Sequence, residues 1–162
     1  MKKLNFCVTI MFLAAWVTNA QNVPARITNY LNANHAGWTK ARGFCESKRW
    51  FLTGDFNGDR KIDYVVRFKT GKTPRLQLYA FVKKGKNYLP IKISADVSDK
   101  EFRRSSFSII KRGSTVSLGQ GEEGSGSTTK LKTDAVVQYI CETDATVTYI
   151  YKNGDFKNIA EH

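Results

Sequence analysis

The stretch that decides the fold is GDFNGDRKIDYVVRF at residues 54–68, where an oxygen-rich loop runs directly into an alternating segment. The residues after the loop fall on two faces of an extended chain, Tyr64, Val66 and Phe68 against Val65, Arg67 and Lys69. A period of two is typical of a β-strand. Because Phe51 to Thr53 also suits a strand, the sequence predicts a strand–loop–strand unit here.

The same alternation of side chains continues towards the C-terminus. Residues 76–82 alternate, and Tyr88 to Ile93 returns after a turn at Lys83 to Asn87. The pattern predicts a meander of about four half-buried antiparallel strands between Phe51 and Ile93. A second set of strands is predicted after the charged connector 96–104, at Phe107–Ile110, Thr115–Leu118, Ala135–Cys141, Thr146–Tyr151 and Phe156–Ile159.

One helix is predicted before the strands, from Pro24 to His35. Ile27, Tyr30 and Leu31 recur at three- and four-residue spacing, and Pro24 suits the first turn. We therefore predict a mainly β (α+β) single domain, with an N-terminal helix packed on antiparallel β-meander sheets and a blade-like arrangement as an alternative. The glycine-rich segment 119–129 is predicted to be a mobile loop.

The first 20 residues have the order of a secretory signal peptide. Lys2 and Lys3 precede an apolar run of about a dozen residues, and small residues follow up to Ala20. The run is too short for a permanent membrane span. We therefore expect an exported protein, periplasmic or secreted, with a signal peptide at 1–20 and one domain at 21–162. Cleavage would remove two lysines and no acid, so the net charge of +12 would become +10.

Two cysteines remain in the predicted domain, Cys45 and Cys141. An exported chain meets an oxidising compartment, which favours a disulfide between them. Two buried, unpaired thiols are the alternative.

The loop at 55–63 is the candidate metal site. Asp55, Asn57, Asp59 and Asp63 stand at relative positions one, three, five and nine, and the carbonyl of Lys61 stands at position seven. Oxygen ligands in this number suit Ca²⁺, which we predict as a possible structural cofactor. A metal-free turn, in which Asp and Asn side chains bind backbone N–H groups and Arg60, is the alternative.

The segment from Gly54 to Asp63, followed by a strand, resembles the FG-GAP or VCBS repeat, whose signature is GDFNGDGxxD. The resemblance covers about residues 50–68 and implies a calcium loop of the kind found in β-propeller blades. This chain has Arg60 where the repeat usually has glycine, and it carries a single copy of the motif.

No catalytic constellation is visible in the sequence. His35 and His162 are its two histidines, neither cysteine has a histidine beside it, and the glycine-rich segment lacks a nucleophile elbow. We therefore expect no enzymatic activity and assign no catalytic residue.

The basic residues predict the class of partner. They concentrate near aromatic side chains at Lys83, Lys84, Lys86, Arg103, Arg104, Lys111 and Arg112. In an exported protein such a surface favours an anionic envelope component or an acidic protein over nucleic acid; a solvated surface without a partner is the alternative. The leading hypothesis is thus a non-catalytic, monomeric exported β domain that binds an anionic partner. The alternative is a periplasmic inhibitor or immunity-type protein that blocks an enzyme through the loop 119–129.

Overall fold

The computed structural model describes residues 22–42, 44–45, 49–70, 75–93, 104–118, 127–143 and 145–159. The predicted signal peptide, most of the connector 96–104 with Arg103, and the glycine-rich residues 119–126 lie outside the described residues. No helix in the described ranges has the length and apolar character needed to cross a membrane.

The described chain is mainly β, with antiparallel sheets and a single helix. The single helix α1 spans Ala25–Asn34 and lies within the predicted range Pro24–His35. The strands are β1 Thr39–Lys40, β2 Phe51–Gly54, β3 Asp63–Thr70, β4 Arg75–Lys84, β5 Asn87–Lys92, β6 Ser105–Ile110, β7 Thr115–Leu118, β8 Ser127–Lys130, β9 Ala135–Ile140, β10 Ala145–Lys152 and β11 Asp155–Asn158.

The strands form two main sheets and a separate hairpin. The first sheet has the order β1-β3-β4-β5, with β2 also paired to β3, and the second has the order β11-β10-β9-β6. Strands β7 and β8 pair only with each other among the described strands. The predicted meander between Phe51 and Ile93 corresponds to β2 through β5. A blade-like arrangement stays a prediction.

Two strands were missed by the sequence prediction. β1 contains only two residues and exists through its pairing with Phe68 and Lys69 of β3. β8 contradicts the predicted loop at 119–129, because Ser127 to Thr129 pair with Leu118 to Val116. The polar, small residues of β8 carry no alternation of their own, so their extended conformation comes from hydrogen bonding to β7.

Strand β3 is the centre of the first sheet and is buried on both faces, so the expectation of a half-buried strand is wrong for it. Tyr64, Val66 and Phe68 pack in one cluster with Ile27 and Leu31 of the helix. On the opposite face, Val65 joins a second cluster with Leu78 of β4 and with Phe107, Val136 and Tyr149 of the second sheet. Among the described residues, β3 therefore packs with the helix on one face and with the second sheet on the other.

Arg67 of β3 is a charged residue buried between the sheets, and only 3% of it is exposed. Its Nη1 donates to the carbonyl of Arg42 at 2.8 Å and to that of Ser105 at 2.9 Å. The guanidinium also lies over the ring of Phe107, 5.3 Å from its centroid. Burial lowers the pKa of Arg67 to about 10. One side chain thus ties the first sheet both to the segment before the disulfide and to β6.

The predicted pairing of Cys45 with Cys141 is present as a disulfide, with 6.1 Å between the two Cα atoms. It joins the segment after β1 to the residue that follows β9, and Phe44 N donates to Ser105 O beside it. The bond therefore closes the end of the molecule opposite the loop at 55–63.

We expect the double variant C45S/C141S to unfold more easily than the wild type. The disulfide closes a loop with a sequence separation of 96. Losing such a bond typically costs about 2–4 kcal/mol, because the unfolded chain gains freedom. Urea denaturation of the variant, and of the wild type with and without dithiothreitol, measures the loss. Equal midpoints for all three samples would contradict the expectation.

Candidate functional site

The loop between β2 and β3 is held by its own side chains. Asn57 Oδ1 accepts from the N–H of Asp59 at 3.0 Å, and Asp59 Oδ1 accepts from the N–H of Lys61 at 2.9 Å. Asp55 Oδ2 accepts from the N–H of Arg60 at 3.1 Å. Short Asx side chains that bond backbone N–H groups in this way stabilise tight turns. The sequence therefore builds the loop locally.

Asp63 fastens the loop to the neighbouring strand. Its side chain is fully buried, with Oδ2 accepting from the N–H of Phe56 at 2.9 Å and Oδ1 from the N–H of Lys83 at 2.6 Å. Burial raises the pKa of Asp63, and the two N–H donors oppose that shift. This carboxylate sets the position of the loop relative to the β4–β5 hairpin.

The five predicted metal ligands, Asp55, Asn57, Asp59, Lys61 and Asp63, give mixed evidence for calcium. Asp55 Oδ1 is buried and accepts no hydrogen bond from the described chain, which suits a cation. However, both oxygens of Asp63 are occupied by N–H groups, and Asp59 Oδ2 binds Lys61 Nζ at 3.1 Å. No group of three or more His, Cys, Asp or Glu among the described residues could hold a metal ion. Calcium binding stays a prediction, and no proposal below depends on it.

Arg60 adopts a backbone conformation that glycine adopts without strain. Its φ is +62°, in the left-handed region that side chains with a Cβ disfavour. The residue is exposed. The chain thus keeps a strained backbone at a position where a long cationic side chain points outward from the loop.

Asp134 connects the loop to the second sheet. Asp134 Oδ2 accepts from the N–H of Asp55 at 3.1 Å and from Lys111 Nζ at 2.8 Å. Its Oδ1 accepts from the N–H of Arg112 at 2.9 Å. Gly54 permits this approach, since a Cβ there would stand 3.0 Å from Asp134 Oδ2. Although burial raises the pKa of Asp134, the three donors together lower it below its usual value.

These contacts bring three basic turns to one end of the molecule. Asp63 joins the loop to the β4–β5 hairpin, and Asp134 joins it to the turn between β6 and β7. We call this surface the basic end and define it by Arg60, Lys61, Lys83, Lys84, Lys86, Lys111 and Arg112. Among them, Arg60, Lys84, Lys86 and Arg112 are exposed and form no ion pair with a described residue.

The predicted anionic-partner residues therefore separate into two groups. Lys83, Lys84, Lys86, Lys111 and Arg112 lie at the basic end. Arg104 precedes β6 at the disulfide end and forms an ion pair with Glu142. Arg104 therefore lies away from the basic end, because antiparallel pairing places the start and the finish of β6 at opposite ends of the sheet, and its role in partner binding stays a prediction.

Sequence reasoning missed Asp134, Arg60 and Lys61 as parts of the basic surface. Asp134 is a single acid without a motif, 79 residues from its partner Asp55. The sequence predicts Lys61 as a metal ligand through its carbonyl and Arg60 as a partner of the loop acids, and it predicts neither as part of a basic surface. Both side chains are exposed, and Asp55, Asn57 and Asp59 accept hydrogen bonds from backbone N–H groups of the loop.

Comparisons of the chain with protein-family profiles, curated proteins and solved structures find no match. Its function must therefore be argued from the residues themselves.

We expect D134N to destabilise the protein by about 1–3 kcal/mol, because the amide would leave a buried donor without an acceptor. The lowered pKa of Asp134 adds stability that is present above its usual value of 3.8 and is lost as the pH falls through the folded-state value. The difference from wild type should therefore shrink in acid. Urea denaturation between pH 2 and 7 tests this, with D155N as control because the Asp155 side chain is 47% exposed. Equal losses in both variants would contradict it.

A second variant, R60G, should not lose stability, since glycine adopts a positive φ without strain. We expect a free energy of unfolding unchanged or raised by up to about 1 kcal/mol. The matched control is N153G at the other non-glycine residue of positive φ among the described residues, where asparagine already tolerates the conformation. A clear destabilisation of R60G alone would show that the Arg60 side chain stabilises the fold.

Proposed function

We propose that this protein is a non-catalytic exported β domain that binds an anionic polymer or surface of the cell envelope through its basic end. The observation that carries the proposal is the convergence of three turns, distant in sequence, on one end of the fold. A single basic turn is a common feature of protein surfaces. Where several basic turns lie side by side, their positive electrostatic potentials add and attract an extended anion.

The acids near the basic end are buried or accept hydrogen bonds, as Asp55 Oδ2 does from the N–H of Arg60. Asp63 is buried, and Asp134 is 6% exposed and engaged by three donors. Asp59 binds the neighbouring Lys61. The exposed cations Arg60, Lys84, Lys86 and Arg112 remain directed to solvent, where charges act over a screening length of about 8–10 Å at physiological salt.

A shallow depression of about 250 Å³ lies within this end. Its charged lining consists of Arg60, Lys61 and Lys111 together with the acids Asp55 and Asp134, and Ile62 also lines it. Ile62 is 53% exposed and offers an apolar contact beside the cations. The surface thus combines charge with a small apolar element, as partner-binding surfaces do.

Binding to immobilised polygalacturonate, with neutral dextran as reference, tests the proposal. We expect K84Q/K86Q/R112Q to weaken binding by about tenfold, from roughly 0.5 kcal/mol per exposed charge. The control K40Q/R42Q/K69Q removes the same charge from the disulfide end and should change binding less than about threefold. Flotation with phosphatidylglycerol vesicles separates a polymer from a lipid surface.

If both triple variants weakened binding equally, net charge alone would explain the binding. That result would refute a specific role of the basic end. Unchanged binding of the first triple would refute it as well. Retention of one acidic protein from an envelope extract, with neither polymer nor vesicles bound, would favour the inhibitor hypothesis instead.

A further inference from the structure

A cleft between the helix and the β4–β5 hairpin is a second feature of the same region. It has a volume of about 310 Å³ and is lined by Arg26, Asn29, Tyr30, Phe81, Asn87 and Tyr88. We call it the helix–hairpin cleft. Its size lies at the lower end of the range for small-molecule sites, about 300–1,000 Å³. It adjoins the basic end, because Asn87 directly follows Lys86 in the hairpin.

The cleft is positively charged and carries directed polar groups. Arg26 Nη1 donates to Asn87 Oδ1, which fixes the guanidinium across the cleft. A guanidinium has five N–H donors, so others remain to bind a ligand. Lys83 does not line the cleft, but its Nζ lies 4.3 Å from the centroid of the Tyr88 ring. None of the six lining residues is acidic.

Aromatic rings form the apolar part of the cleft and are held in place by other rings. Tyr30 packs edge-on against Phe81 with centroids 5.5 Å apart, and Tyr88 packs edge-on against Tyr64 at 5.7 Å. Phe81 is buried, whereas Tyr30 and Tyr88 are half-buried and present both a ring and a hydroxyl. Rigid rings offer contact area at a low cost in conformational entropy.

We propose that the helix–hairpin cleft binds one sugar unit of an acidic polysaccharide, with Arg26 binding its carboxylate. The guanidinium fork matches the two oxygens of a carboxylate. The amides of Asn29 and Asn87 match hydroxyl groups, and the tyrosine rings match the C–H faces of a pyranose. A free phosphate would use the cations alone and would leave the rings and amides without a role. This inference rests on the proposed function and names the chemistry of its polymer.

Calorimetric titration of the protein with trigalacturonate tests the proposal, with maltotriose as the neutral analogue and inorganic phosphate as the anion alone. We expect saturable binding of trigalacturonate at one site and no measurable binding of the other two. R26Q should weaken binding by at least about tenfold. R26K keeps the charge and loses the fork, so it should lose most of the affinity as well. Because Arg26 is exposed, neither change should unfold the protein.

The matched control is K132Q, which removes an exposed cation outside the cleft and should change the affinity less than about twofold. Equal affinity of R26Q and wild type, tight binding of phosphate, or no saturable binding of trigalacturonate would each overturn the cleft as a saccharide site. If polygalacturonate still bound and still responded to K84Q/K86Q/R112Q, the basic end would stand without the cleft. If trisaccharide bound while the triple variant had no effect on the polymer, the cleft would stand without the basic end.

Discussion

The burial of β3 on both faces is the constraint on which the rest of this structure depends. Neighbouring side chains of a strand point to opposite faces, so β3 needs one partner layer for Val66 and Phe68 and another for Val65. The helix supplies the first layer and the second sheet supplies the other. A register shift of one residue would exchange these faces and move Arg67 from its two carbonyl acceptors into the helix cluster.

Two buried or nearly buried carboxylates then decide how the turns at one end are arranged. Asp63 holds the loop to β4, and Asp134 holds it to the turn after β6. Both carboxylates accept hydrogen bonds from backbone N–H groups, and Asp134 also binds Lys111 Nζ. As a result, the loop that is richest in acids becomes part of the surface on which three basic turns meet. Counting charges along the sequence does not show this, because a count ignores whether each charged side chain is buried or faces solvent.

We propose that the basic end and the helix–hairpin cleft contribute to recognition of the same anionic ligand. Flexible surface cations attract an extended anion from a distance, and a rigid cleft distinguishes one chemical unit of it at contact. Arg60 fits the first role, since its positive φ puts a long cation where glycine would be easier to accommodate. Backbone strain of this kind is found where the side chain serves a purpose beyond folding. The chemistry of the proposed ligand follows from the cleft, whose rings and amides add to its charge.

The sequence by itself determined the local structure of this protein. The alternation from Tyr64 to Phe68, the spacing in α1 and the Asx pattern of the loop each involve neighbours along the chain, and such short-range preferences can be read directly. Only the tertiary structure decided the rest. Partners far apart in sequence made β8 a strand, placed Asp134 against Asp55, buried both faces of β3 and separated Arg104 from the other predicted cations. These outcomes depend on which strands pair and in which register, and no single segment of the chain carries that information.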